Sequence, residues 1–190
     1  GEGRKLFQSW CEDAGCTMGV DTMGNMFMTR EGADPEALPV YVGSHLDTQP
    51  TGGKYDGVLG VLAGLEIVRT LNDLGIKTKH PIVVTNWTNE EGTRFAPAML
   101  ASGVFAGVHE QDWAYDREDA KGKKSGDELA RIGWKGDEES VPIDDFIERS
   151  RATFSELVQL GMEHHVDILV ENHGGPSSDP DLLVRLMEAI

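Results

Sequence analysis

Apolar positions recur along the first ninety residues with two different periods, and the alternation between them outlines a fold. Leu6, Phe7, Trp10 and Ala14 fall at helical spacing and predict a helix over residues 4–14, with Gly15 as its stop. Residues 16–20 and 24–29 read as two short strands joined by the turn 21–24. A polar, proline-containing loop follows over 31–38, and then residues 39–43 predict a buried strand. From Gly57 to Leu74 the residues Val58, Leu62, Leu65, Ile67, Val68 and Leu71 share a broad helical face that Gly75 closes. Residues 81–87 form a short apolar run rich in β-branched side chains, the pattern of an interior strand. Strand, helix and strand in that order predict a right-handed crossover, with two parallel strands ending at one edge of a sheet.

Beyond residue 108 the chain turns polar. Residues 121–126 read as a surface loop and 125–132 as a short helix. A longer helix is predicted over 143–164, a buried strand over 166–170, and a last helix opened by Asp179 as N-cap with Pro180 in its first turn. The expected class is α/β: a mixed sheet flanked by helices over residues 1–140, followed by an αβα segment over 141–190.

Hydrophobic content of 39% and charged content of 26% fit an ordinary globular protein. The net charge of −16 argues against nucleic acid and against anionic membranes as partners, because both need clustered Lys and Arg. Its plain explanation is solubility. Cys11 and Cys16, five residues apart, match no zinc spacing and read as free structural thiols. No signal-peptide pattern and no apolar run near eighteen residues is seen, so a soluble, cytoplasmic protein is expected. The chain opens inside a helical pattern without Met, as a piece of a longer protein would.

The candidate chemistry gathers in two Gly-punctuated segments, residues 42–57 and 88–92. His45 follows the first predicted strand, with Asp47 two residues on and Asp56 after the Gly52-Gly53 turn; Glu90 and Glu91 follow the second. One imidazole and several carboxylates at neighbouring strand ends suit a divalent cation, and a spare carboxylate beside them can move a proton. Asp47 is placed to hold the His45 ring through its other nitrogen. His80 and His109 read as solvated loop residues, and the His164-His165 pair as a favourable charge at a helix end.

The stretches Gly43-Ser-His-Leu-Asp-Thr-Gln-Pro-Thr-Gly-Gly-Lys-Tyr-Asp-Gly57 and Trp87-Thr-Asn-Glu-Glu-Gly-Thr-Arg-Phe-Ala-Pro97 resemble the M20-type metal-dependent amidohydrolases. Within them they are similar to the N-carbamoyl-L-amino-acid hydrolase, allantoate amidohydrolase and ureidopropionase group. The resemblance spans residue 1 to about residue 138. It implies a catalytic domain of metallopeptidase type, hydrolysing linear amides of small N-carbamoyl or ureido acids. It implies His45 on one metal, Asp56 bridging, Glu91 on a second metal, Glu90 as general base and Asp47 orienting His45, with zinc or manganese as the ion. That family carries further ligand histidines and a dimer-forming domain whose segments are not found here.

Residues from about 145, through Val166-Asp-Ile-Leu-Val-Glu-Asn-His-Gly-Gly-Pro-Ser-Ser178, instead resemble sugar isomerases and epimerases of the xylose-isomerase type. That implies Glu171 as a barrel metal ligand; His173, after the predicted strand and in a Gly-rich loop, is a candidate surrogate ligand for the His45 site. Two alternatives stand beside the amidohydrolase reading. One is a non-catalytic truncated or chimeric chain that binds divalent metal weakly; the other is a fragment of a sugar isomerase.

Overall fold

The computed structural model of the chain describes residues 1–137. Their elements run α1 (Glu2–Asp13), β1 (Thr17–Val20), β2 (Met26–Arg30), β3 (Val40–His45), α2 (Val58–Asp73), β4 (Ile82–Trp87), α3 (Leu100–Phe105), α4 (Gln111–Tyr115) and α5 (Ser125–Arg131). The four strands form one mixed sheet in the order β1-β2-β4-β3. β1 and β2 pair antiparallel, as do β2 and β4; β3 runs parallel to β4 from Val40↔Ile82 to His45↔Trp87. The expected α/β class and the parallel strand–helix–strand unit are both present. The predictions over 143–190, including Glu171 and His173, lie outside the described residues.

The β1–β2 connection is tied by Asp21, whose carboxylate accepts the Asn25 backbone N–H at 2.8 Å and the Asn25 amide at 2.7 Å. Pairing these polar groups matters because both residues are buried. The main core lies between one face of the sheet and the helices α1 and α2. Phe7 and Cys11 of α1, Met26, Met28 and Val84 of the sheet, and Val61, Leu65 and Val68 of α2 meet there. On the other face Phe27, Tyr41 and Trp87 pack around Phe105 of α3, with ring centroids 5.0–6.3 Å apart.

Three expectations need correction. The predicted helix face of α1 held Leu6, Phe7, Trp10 and Ala14; Phe7 is buried, together with Cys11, but Leu6 and Trp10 are exposed. β3 was expected to be buried, but it is mostly half-exposed because it is the end strand of the described sheet. In α2 the buried residues are Val61, Gly64, Leu65 and Val68, whereas Leu62 and Ile67 reach solvent. The cause is close approach of the helix to β3 and β4. A Cβ on Gly60 would lie 2.7 Å from the Ser44 Cβ, and one on Gly64 would lie 2.6 Å from Val84 Cγ1. Gly60 and Gly64 therefore share the contact surface with Val61, Leu65 and Val68, while Leu59 and Leu62 turn outward.

The helices α3 and α4 are too short to show a period in sequence, and neither was predicted. Cys11 and Cys16 are free and buried, and burial pushes the Cys11 thiol up to about 12, so it stays protonated and inert.

The two leucines test which face of α2 is inside. Leu65→Ala should cost about 3 kcal/mol of stability by urea unfolding of the full chain. Leu62→Ala should cost below about 1 kcal/mol. Equal losses would mean that the helix packs by another face.

Candidate metal centre

The parallel register sets His45 opposite Trp87, so the segments leaving β3 and β4 start side by side. His45 is buried. Its ring lies against the backbone of Gly57, where an added Cβ would sit 2.4 Å from Cε1 and Nδ1. Gly57 also has φ of +70°, a conformation L side chains rarely adopt. The ring is thus held edge and face by a turn that tolerates no side chain.

The Nδ1 atom of His45 lies 3.0 Å from the Asp47 carbonyl oxygen. Only a protonated Nδ1 can make that bond, which leaves Nε2 with a lone pair when the ring is neutral. Nε2 faces Glu90 Oε2 at 3.3 Å and Asp56 Oδ1 at 3.8 Å. A lone pair aimed at two carboxylates is repulsive unless a cation, proton or metal, lies among them.

His45, Asp56 and Glu91 offer ligand atoms that all lie within 4.8 Å of one another. One oxygen of Glu91, Oε1, is buried and has no hydrogen-bond partner among the described residues. Among the described residues, Oε2 accepts one long bond, from the Gln49 amide at 3.4 Å. A desolvated carboxylate oxygen without a partner is costly, and coordination removes the cost. The donor set, one imidazole nitrogen with carboxylate oxygens, fits a hard or borderline divalent cation.

Asp47 does hold the ring, but not as the sequence suggested. Its carboxylate stays 3.8 Å from Nδ1, and the backbone carbonyl makes the bond instead. The carboxylate accepts the backbone N–H groups of Glu90 at 3.2 Å and Glu91 at 3.1 Å. Two successive N–H groups on one carboxylate form an anion-binding nest. The turn that aims them requires Asn89 at φ of +54°, and Asn is among the residues that tolerate it. The Asn89 amide donates to the Phe95 carbonyl at 2.7 Å, and Met99 N–H donates to the Glu90 carbonyl at 2.6 Å.

Further along the same loop, Arg94 donates to Asp119 at 2.9 Å and to Glu128 at 2.7 Å. Bonds from Arg131 and Arg94 hold the Glu128 carboxyl down at about 2. Glu90 shifts the opposite way. Burial raises its proton affinity most, the His45 ring opposes, and Asp47, Glu91 and Asp56 raise it further.

His80 and His109 join neither group, and both are packed rather than solvated. His80 Nδ1 lies 2.7 Å from the Leu38 carbonyl, and the His109 ring packs 4.9 Å from that of Trp113. Sequence reasoning missed Gln49 and Gly57. Both sit inside the first Gly-punctuated segment, and a glycine immediately after Asp56 was the available signal.

Residues 41–186 match the family model of peptidase family M20/M25/M40. The chain is 79% identical over 139 residues to the N-carbamoyl-L-amino-acid amidohydrolase of Rhizobium meliloti, covering 73% of this chain and 33% of that protein. It is 41% identical over 130 residues to the N-carbamoyl-L-amino acid amidohydrolase of Geobacillus stearothermophilus, covering 68% and 32%. The crystal structure of an amidase of the hydantoinase/carbamoylase family from Burkholderia multivorans superposes with a TM-score of 0.72 at 58% identity, covering 74% of this chain and 34% of that one. The chain spans about a third of the length of these relatives. The family match runs across the boundary expected near residue 140, and the isomerase-like reading of the final segment finds no support.

Gly57→Ala isolates the packing of the ligand ring. The added methyl must displace His45, so Mn²⁺ affinity measured by calorimetry should fall at least about tenfold, as for other losses of ligand orientation. Unchanged affinity would show that the ring position is not set by this turn.

Proposed function

The chain belongs to peptidase family M20/M25/M40, and on that premise we propose that its His45–Asp56–Glu91 centre serves metal-dependent hydrolysis of a linear amide C–N bond. The substrate class is an N-carbamoyl, or ureido, group on a small amino-acid-like acid. The observation that carries the proposal is the convergence of three ligand atoms on one point with the Glu90 carboxyl beside them. The names of the relatives, both N-carbamoyl-L-amino-acid amidohydrolases, support the substrate class.

His45 would hold one ion through Nε2, Glu91 a second, and Asp56 would lie between them, with zinc or manganese as the ion. Bound there, a divalent ion supplies Lewis acidity to a carbonyl and makes water acidic enough to ionise near neutral pH. Glu90 has the proton work. Its carboxyl is a quarter exposed, near enough to the ligand nitrogen to reach the reacting water and buried enough to favour taking a proton. It would accept the proton from water and pass it to the departing nitrogen. Asp47 contributes no proton. Its carboxylate holds the Glu90 and Glu91 backbone so that the base and the ligand keep separate tasks.

A second reading has one specific observation behind it. Among the described residues, three ligands shared between two ions fall short of the three per ion that catalytic centres hold. On that reading the chain binds divalent metal weakly and turns nothing over.

One substitution separates these readings. Glu90→Gln should leave Mn²⁺ binding in place and reduce ammonia release from N-carbamoyl amino acids by about 10²–10⁴-fold. The base acts ionised, so the parent's kcat/KM should fall as pH drops through the pKa of Glu90. The residual rate of Glu90→Gln should lack that acid limb. A parent chain that binds metal but releases no ammonia would favour the second reading.

A further inference from the structure

Arg4, in the first turn of α1, reaches across the hairpin turn to the entrance of the Glu90–Glu91 loop. Nη1 donates to the Gly24 carbonyl at 2.7 Å and Nη2 donates to Thr88 Oγ1 at 2.6 Å. Thr88 Oγ1 in turn donates to the same Gly24 carbonyl at 2.6 Å, and the Thr88 backbone N–H donates to Asn25 Oδ1 at 2.9 Å. Asn25 is itself locked to Asp21, in a part of the structure that is almost wholly buried. Thr88 is therefore fixed through its backbone and through its side chain, two residues ahead of Glu90.

The requirement is for a fork. One guanidinium spans an acceptor on the β1–β2 turn and another after β4, which a single ammonium nitrogen does less well. The face of the guanidinium also lies 5.4 Å from the centre of the Trp134 ring. Arg4 and Asp47 line the same cavity of about 280 Å³, together with Thr88 and Asn89. Burial lowers the proton affinity of Arg4, while the charges of Asp47 and then Asp21 raise it. The cation thus sits in the field of the carboxylate that grips the Glu90 and Glu91 N–H groups.

We infer that Arg4 is a positioning residue for the metal centre: by fastening Thr88 to the Gly24 turn it sets where the Glu90 and Glu91 backbone meets Asp47. The inference rests on the reading of His45, Asp56 and Glu91 as ligands only for its consequence on metal affinity. Its structural content concerns the loop itself.

The test uses the full chain and two readouts. In the metal-free chain, Arg4→Met and Thr88→Val should speed hydrogen exchange at the Glu90 and Glu91 amides while the amides of Val68 and Val84 stay protected. In calorimetric titration the same variants should bind Mn²⁺ about tenfold more weakly, the usual scale for a lost outer partner. Arg4→Lys should fall between them and the parent. Unchanged exchange at Glu90 and Glu91 would overturn the inference. So would equal loss of protection at Val68 and Val84, which would make Arg4 a general prop of the fold. If Arg4→Met does not fold, Thr88→Val decides by the same criteria. A parent chain that takes up no Mn²⁺ would sink the metal reading, and the amide exchange would still decide the role of Arg4.

Discussion

The parallel pairing of β3 with β4 is the constraint on which the rest depends. Parallel neighbours cannot be joined by a tight turn, so the chain needs a crossover, and α2 supplies it over sixteen residues. The crossover returns the chain to the same starting edge, and both strands then end at the opposite one. His45 and Trp87 are partners in register, so the His45–Asp56 segment and the Glu90–Glu91 loop emerge together. A shift of the register by two residues would move the ligands by roughly 7 Å and dissolve the cluster. Burial of β4 on both faces fixes that register, since Ile82 to Asn86 have no solvent side to slip toward.

Two glutamates of this chain, Glu128 and Glu90, show how environment divides structure from chemistry. Glu128 is ringed by Arg94, Arg131 and Lys123, and its carboxyl sits at about 2. Its folded pKa is depressed, so it adds stability above the ordinary glutamate pKa and loses that only as pH falls toward about 2. Glu90 has three carboxylates and an imidazole for neighbours, and its proton affinity is raised. A fold selected for stability alone would place cations beside both. The excess of negative charge around His45 is instead what a site for an added cation looks like before it is filled.

Much of this was readable in the sequence, and the failures share a cause. Every element from α1 to β4, and α5, was predicted within a few residues, because amphipathic periods and Gly stops mark them. The five candidate residues named from the sequence, His45, Asp47, Asp56, Glu90 and Glu91, lie together at one sheet edge. The errors arose where backbone replaced side chain. Glycines at 60 and 64 let α2 press onto the sheet, so the apolar-face count was right for Leu65 and Val68 but also took in Leu62 and Ile67, which reach solvent. Asp47 acts on His45 through its carbonyl, and no pattern of side chains signals a main-chain acceptor. Arg4 lies 84 positions from Thr88, and a bond across that separation has no local signature.

The backbone also explains how a loop centre can be rigid before any ion arrives. The tautomer of His45 is set by the Asp47 carbonyl, the ring is held against Gly57, and the two glutamates are hung from one carboxylate through their N–H groups. None of these contacts uses a ligand atom. Binding then need not order the first ligands, and less of the coordination energy is spent on conformational entropy. Within the centre, the Nε2 lone pair and a Glu91 oxygen without a partner among the described residues are the groups that a cation would satisfy. Unsatisfied polarity is thus gathered where a cation would relieve it, and the surrounding hydrogen bonds hold the backbone around it in place.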